Sequence, residues 1–158
     1  MEITEILERL KKEKSLTRLF TINSSDTTEI DENTIELSIS SEEPYDRWFG
    51  TEILGHEEGE IELSRLNNKA NLLFNHNRDK YLAVIEKVWI DENKKLRVRA
   101  RFSKRSEAQA YLSDVKDGIL THTSVGYVPI EMVLQKEEKG ELPIYRVTKW
   151  MPFEGSLV

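Results

Sequence analysis

The chain has 158 residues, of which 38% are hydrophobic and 33% charged, and its formal net charge is −6. That balance fits one globular domain and argues against nucleic-acid or membrane-surface binding driven by overall charge. The absence of cysteine excludes disulfides, thiolate zinc sites and a cysteine nucleophile, and leaves His56, His76 and His122 as the imidazoles open to any mechanism.

No apolar run approaches the ~20 residues that span a bilayer. The opening MEITEILERLKKEK has no signal-peptide core, so an intracellular protein is expected. Within residues 2–14, Ile3, Ile6, Leu7 and Leu10 recur at helical spacing. Early Glu2 and Glu5 and late Lys11, Lys12 and Lys14 suit the helix dipole. Such a helix either packs on its own domain or docks a partner or a second copy.

Residues 16–22 and 34–40 read as strands separated by a polar turn. Residues 41–60 read as a long surface loop with a short strand near 50–54, and a short helix is expected over 61–67. In a strand over 70–76, Leu72, Phe74 and His76 would share one face and Leu73 and Asn75 the other. Residues 81–90 and 95–102 flank Asp91-Glu92-Asn93-Lys94, a hairpin signal. Along the second of these strands Leu96, Val98, Ala100 and Phe102 point in. Lys95, Arg97, Arg99 and Arg101 point out, either to acids next door or to an acidic partner.

Ser106-Glu107-Ala108-Gln109 has the capping-box pattern. Ala108, Tyr111, Leu112 and Val115 then follow helical spacing, and Gly118 is a natural C′ residue, so a helix is predicted over 106–117. Strands are expected at 121–128, 130–135 and 143–150, with a turn at 136–140. Many strands with two or three helices predict an α+β protein, built mostly on an antiparallel sheet or barrel.

Three residue types could carry chemistry. In a strand over 121–128, His122, Ser124, Gly126 and Val128 share a face, and Gly126 would leave room beside the Ser124 hydroxyl for a substrate backbone. A serine nucleophile needs a base, and the base an orienting group. His76, leaving an apolar strand among polar residues, is either a satisfied strand-end histidine or that base. Glu154 follows Trp150-Met151-Pro152-Phe153; it is either exposed or a buried carboxylate that requires a partner.

The succession NHNRD, a hairpin, DGILTHTSVGY and then W-x-P-x-E-x-S-L-V resembles the tailed-phage prohead maturation proteases. ELSRLNNKANLLFNH and LSISSEEPYDRWFGTEIL resemble the N-terminal half of the same family, so the resemblance covers roughly residues 16–158. It implies a serine endopeptidase whose fold is similar to the herpesvirus assemblins, a β-barrel ringed by helices; with the N-terminal helix the chain is read as a single protease domain, residues 1–158, in which 1–14 is the segment open to a docking role. The family acts in the host bacterial cytoplasm, inside the immature capsid. It removes scaffold or a region of the capsid-protein precursor, and usually cleaves itself. No cofactor, nucleic acid or membrane is implied, and a homo-oligomer is compatible with it. The family's histidine falls on His76, its serine on Ser124 and its glutamate on Glu154. His122 stands where a small or amide residue is expected and is the alternative orienter, as in the Ser-His-His set of assemblins. Gly155 replaces a usual β-branched residue. Members of the family usually continue past this ending, which makes Val158 an expected boundary or processing site.

Three other readings fit parts of the sequence. One is a non-catalytic capsid-assembly or scaffold module with the same fold. A second is a metal site from His56, His76 and His122, which lack close ligand spacing. The third is a nucleic-acid-binding barrel using Arg97, Arg99 and Arg101, disfavoured by the acidic total and the lack of interleaved aromatics.

Overall fold

The computed structural model describes residues 1–13 and 16–158. Lys14, the last residue of the helix expected at the N-terminus, lies outside them. Helix α1 (Ile3–Lys12) buries Ile6 and Leu10 in the core of its own chain, against the strand that carries Ser124. Full burial of each such side chain contributes roughly 1.5–3 kcal/mol.

The chain then runs through β1 (Thr17–Thr21), a 3₁₀ turn, β2 (Thr27–Glu29), β3 (Thr34–Ser40), β4 (Tyr45–Arg47) and β5 (Gly50–Leu54). β6 (Asn71–Phe74), β7 (Asn77–Ile90) and β8 (Leu96–Phe102) follow, then helix α2 (Ser106–Lys116), β9 (His122–Lys136) and β10 (Ile144–Leu157). The strands join in one sheet of order β1-β9-β10-β6-β7-β8-β3-β2, with β5 added to β10 and β4 to β5.

The α+β class is as expected. The sheet differs from an all-antiparallel barrel in two ways. β10 pairs parallel with both β5 and β6. The sheet also curls into a half-barrel whose end strands, β1 and β2, share no ladder among the described residues. The curl brings β3 back over β9, where the Thr123 hydroxyl donates to the Ser38 carbonyl at 3.0 Å. The core fills the concave side with Ile35, Leu37, Ile39, Leu72, Val98, Val125, Tyr127, Trp150 and Leu157.

Two α-helices form among the described residues, and residues 61–67 are not a third. Ile61 instead bridges Trp150; the Glu62 N–H donates to the Trp150 carbonyl, and the Trp150 N–H to the Glu60 carbonyl. With 60–62 engaged across the sheet, what remains is a single turn, closed by the Asn67 N–H on the Leu63 carbonyl.

The same contact explains why β9 continues through Pro129, where two strands were expected. Pro129 stands opposite Trp150, whose N–H and C=O are directed away toward 60–62, so this pair requires no proline donor. β10 likewise runs on through Pro152 to Leu157.

α2 lies where the sequence places it, but its capping differs. Arg105 is the N-cap and makes no side-chain cap bond; Gln109 reaches out to the Ser103 carbonyl and the Asn33 side chain. The C-terminal end is a Schellman motif on Gly118 (φ +70°), with Ile119 N–H on the Asp114 carbonyl and Gly118 N–H on that of Val115.

The cationic row of Lys95 and β8 is engaged within the chain. Lys95 meets Asp26, Arg97 the Asp26 carbonyl and Ser38, Arg99 Glu36, and Arg101 Glu86.

Candidate active site

Period-two alternation turns Thr123, Val125 and Tyr127 of β9 into the core and Ser124 and Gly126 to the opposite face. β10 needs a correction to match. Trp150 and Pro152 are buried, so strict alternation would send Glu154 inward as well. The register slips by one residue at Phe153: Pro152 pairs with Tyr127, but Glu154 pairs with Gly126. This bulge turns Gly155 and Leu157 inward and brings Glu154 and Ser156 onto the face of Ser124. Ser156 stands directly opposite Ser124.

His76 arrives from the other side of β10. It is not on the core face of a strand with Leu72 and Phe74. Asn75 and His76 form the tight turn between β6 and β7, with φ +53° and +58°, the signs of a type I′ hairpin turn. β6 lies parallel to β10 at Gly155, Ser156 and Leu157, so the turn overhangs the end of β10. Two bonds fasten it: Asn75 N–H donates to the Leu157 carbonyl at 2.8 Å, and His76 N–H to the Ser156 hydroxyl at 2.9 Å.

The side chains then meet. His76 Nε2 lies 2.8 Å from Ser124 Oγ, and His76 Nδ1 lies 2.9 Å from Glu154 Oε1. An ionised carboxylate only accepts, so Nδ1 carries the proton and Nε2 accepts from the Ser124 hydroxyl. The serine is 4% exposed, and the imidazole and carboxylate side chains 20% and 14%. The group is thus shielded but open at the imidazole.

Glu154 fits because residue 126 has no side chain. A Cβ on Gly126 would lie 2.8 Å from Glu154 Cγ and 3.0 Å from both Glu154 Oε1 and Phe153 Cε2. The space expected to admit a substrate backbone is taken by the carboxylate. Gly155, by contrast, has ordinary room: a Cβ there would meet Ile39 Cδ1 at 3.4 Å and Leu72 Cδ1 at 3.8 Å. The His122 ring is not part of this group; its Nδ1 lies 3.1 Å from the Thr121 hydroxyl.

A model of the caudovirus prohead serine protease family matches residues 59–158, a span that contains all three residues. The chain belongs to the caudovirus prohead serine protease family. It is also 47% identical over 125 residues to a protein of Halomonas phage phiHAP-1 named major capsid protein, a match covering 77% of this chain and 21% of that relative. The chain therefore spans about a fifth of the length of this capsid relative. No solved structure matches.

Sequence reasoning assigned no role to Ser156, although the E-x-S-L-V ending of the prohead protease family contains it. Two-residue spacing puts Glu154 and Ser156 on one face, which was the available signal. The bulge at Phe153 that selects this face leaves no sequence mark. His56 is elsewhere: it is buried, with Nε2 at 2.8 Å from the Ser40 hydroxyl and Nδ1 at 2.8 Å from the Leu54 carbonyl. Among the described residues no group of three or more His, Cys, Asp or Glu is placed to hold a metal. No helix among them is long and apolar enough to cross a membrane.

Proposed function

We propose that this chain is a serine endopeptidase of prohead maturation, with Ser124 as nucleophile, His76 as general base and Glu154 as the group that orients it. The single observation that carries this reading is the unbroken relay from Glu154 Oε1 through the imidazole to Ser124 Oγ, with both links under 3 Å.

The serine attacks the scissile carbonyl carbon as Nε2 takes its proton. The tetrahedral intermediate collapses, the peptide C–N bond breaks, and the imidazolium gives that proton to the leaving amine. A water molecule then repeats the cycle on the acyl-enzyme. Glu154 holds the proton on Nδ1 and stabilises the imidazolium. The substrate is the capsid-protein precursor or scaffold, cleaved inside the immature shell in the host cytoplasm, with self-cleavage. The curled sheet with its flanking helices is the family's version of an assemblin-like barrel, and residues 1–158 act as one domain, onto whose own core α1 packs with its apolar face.

Ser124→Ala and His76→Ala each remove nearly all turnover of the precursor, and the double variant is little worse, because triad members act as a unit. A Ser124→Ala protein that still cleaves overturns the proposal. The name of the phage relative favours a second reading, a capsid-assembly module without turnover. Labelling by a small fluorophosphonate separates the two: an active protease reacts at Ser124, an inactive module does not.

A further inference from the structure

Of the ten arginines in the chain, Arg65 and Arg78 are the two whose guanidinium groups meet no hydrogen-bond or ion-pair partner among the described residues. Both line one pocket of about 210 Å³, and Glu154 is its wall toward the nucleophile. A chain of net charge −6 has carboxylates enough to pair every arginine, yet these two are left for something else.

Each is aimed by an irregularity in the sheet. Arg78 sits in a bulge: Phe74 pairs with Asn77 and Leu73 with Tyr81, so residues 78–80 have no partners on β6. Arg65 lies in the turn between Leu63 and Asn67. Its guanidinium carbon is 5.6 Å from the centre of the Phe153 ring, at the residue where the register of β10 slips. Asn71 and Leu73 of β6 also line the pocket. Leu73 pairs with Ser156, and Ser156 with Ser124, so these side chains share the face of the nucleophile.

The relay fixes which half of a substrate comes this way. His76 turns Nε2 to Ser124 and Nδ1 to Glu154, so the imidazole stands between the nucleophile and the pocket. The leaving amine takes its proton from Nε2. The part of the substrate that follows the cleaved bond therefore departs past the imidazole, toward Glu154 and the pocket beyond. β6 lies two strands from β9, a distance of about 9.6 Å. An extended chain at roughly 3.3–3.6 Å per residue covers it in about three residues. The scissile bond stays over Ser124, and what reaches the pocket is a side chain about two to four residues further on. Two guanidinium groups present forked N–H donors that match a planar carboxylate. With Glu154 engaged on His76, the two cations leave an excess of positive charge that one acid cancels.

We propose that Arg65 and Arg78 form a subsite for an acidic side chain of the peptide substrate, on the C-terminal side of the bond that Ser124 cleaves. This rests on the protease reading above. The test is cleavage-site profiling by mass spectrometry on a peptide library made from a bacterial lysate, at low and at high salt. It compares wild type, the Arg65→Gln/Arg78→Gln double variant and Arg78→Glu. The readout is the frequency of each residue at each position after the cleaved bond, normalised within one preparation, so a loss of folded protein does not alter it. Fluorophosphonate labelling of Ser124 is scored in the wild type.

Wild type enriches Asp and Glu at one position about two to four residues after the cleaved bond, and salt weakens the enrichment. In the double variant, cleavage at acid-bearing sites falls at least about tenfold relative to the rest, the scale of a lost charge-assisted hydrogen bond. Arg78→Glu favours Lys or Arg at that position instead. A wild type that cleaves without acid preference there, or a variant of either kind that keeps the preference, overturns the subsite and leaves the protease reading standing. A wild type that neither labels nor cleaves overturns the protease reading, and the subsite falls with it.

Discussion

Gly126 and Glu154 stand opposite each other across β9 and β10, and the Glu154 side chain lies against the place a Cβ of residue 126 would take. The separation such a Cβ would have from Glu154 Cγ, 2.8 Å, is closer than carbon atoms approach without displacement. Gly126→Ala therefore swings Glu154 off His76 Nδ1 while leaving Ser124 and His76 in place. A catalytic group displaced by about 1 Å costs on the order of 10²-fold in rate. We expect kcat to fall by about that factor with KM little changed, measured on the precursor or on peptides selected by profiling. A variant with wild-type kcat would show that Glu154 does not orient the base.

The turn that carries His76 is built on left-handed backbone at two residues that are not glycine. Asn tolerates this conformation better than most residues because its side chain bonds locally, whereas alanine bears a penalty of roughly 1–2 kcal/mol. Asn75→Ala should lower unfolding free energy by about 1 kcal/mol and reduce kcat, because the imbalance falls on the residue next to the base. Asn75→Gly should keep the stability. Urea denaturation of both variants reads the difference; equal midpoints would mean the turn is held by its bonds to β10 alone.

Much of this site was legible through residue order rather than through local pattern. The α2 helix and Gly118 follow from spacing and chain chirality, and the β7–β8 hairpin from its turn residues. Ser124, His76 and Glu154 were singled out as candidates from local context and fixed by family resemblance, whereas period-two reasoning placed His76 on the wrong kind of element. It treated Asn75-His76 as strand because the apolar run ANLLF continues into them. Glu154 shows the limit most clearly: strict alternation from Trp150 buries it, and only the slip at Phe153 turns it out. Pro129 and residues 61–67 misled for one shared reason. Both depend on where Trp150 aims its backbone, which is a tertiary fact.

Ser156 acts on His76 from behind. Its hydroxyl is the acceptor for the His76 N–H, and it is fully buried between β9 and β6. Ser156→Ala leaves that N–H without its partner, at about 1 kcal/mol or somewhat more of stability. The turn then loses one of its two fastenings, so kcat should fall by roughly tenfold or more as the imidazole drifts from Ser124. Ser156→Thr, which keeps the hydroxyl, should recover more kcat than stability. A purely structural role would instead lower stability in Ser156→Ala with kcat per folded molecule unchanged, as measured by active-site titration.

His56, bonded to Ser40 and Leu54 and not to the candidate catalytic residues, makes stability depend on pH. Burial pushes its pKa below the ordinary 6.5, and nearby Arg146 adds to this; the bond to the Leu54 carbonyl, Glu42 and Glu60 pull the other way without prevailing. With Nδ1–H on Leu54 and Nε2 accepting from Ser40, the neutral ring is satisfied at both nitrogens. On acidification the unfolded chain takes up a proton near pH 6.5 that the folded chain does not, so the unfolded state binds more protons and stability falls. The contribution is complete above about 6.5 and is lost as pH drops toward the lower folded-state value, with a slope of at most about 1.4 kcal/mol per pH unit. Glu42 and Glu60, held below 4.5 by Arg146 against the effect of burial, lose their contributions in a lower window. Denaturant titrations at several pH values from neutral down to the carboxylate range should therefore show a slope that His56→Gln flattens, whatever that variant's stability at neutral pH. An equal slope in the variant would assign the acid sensitivity to other groups.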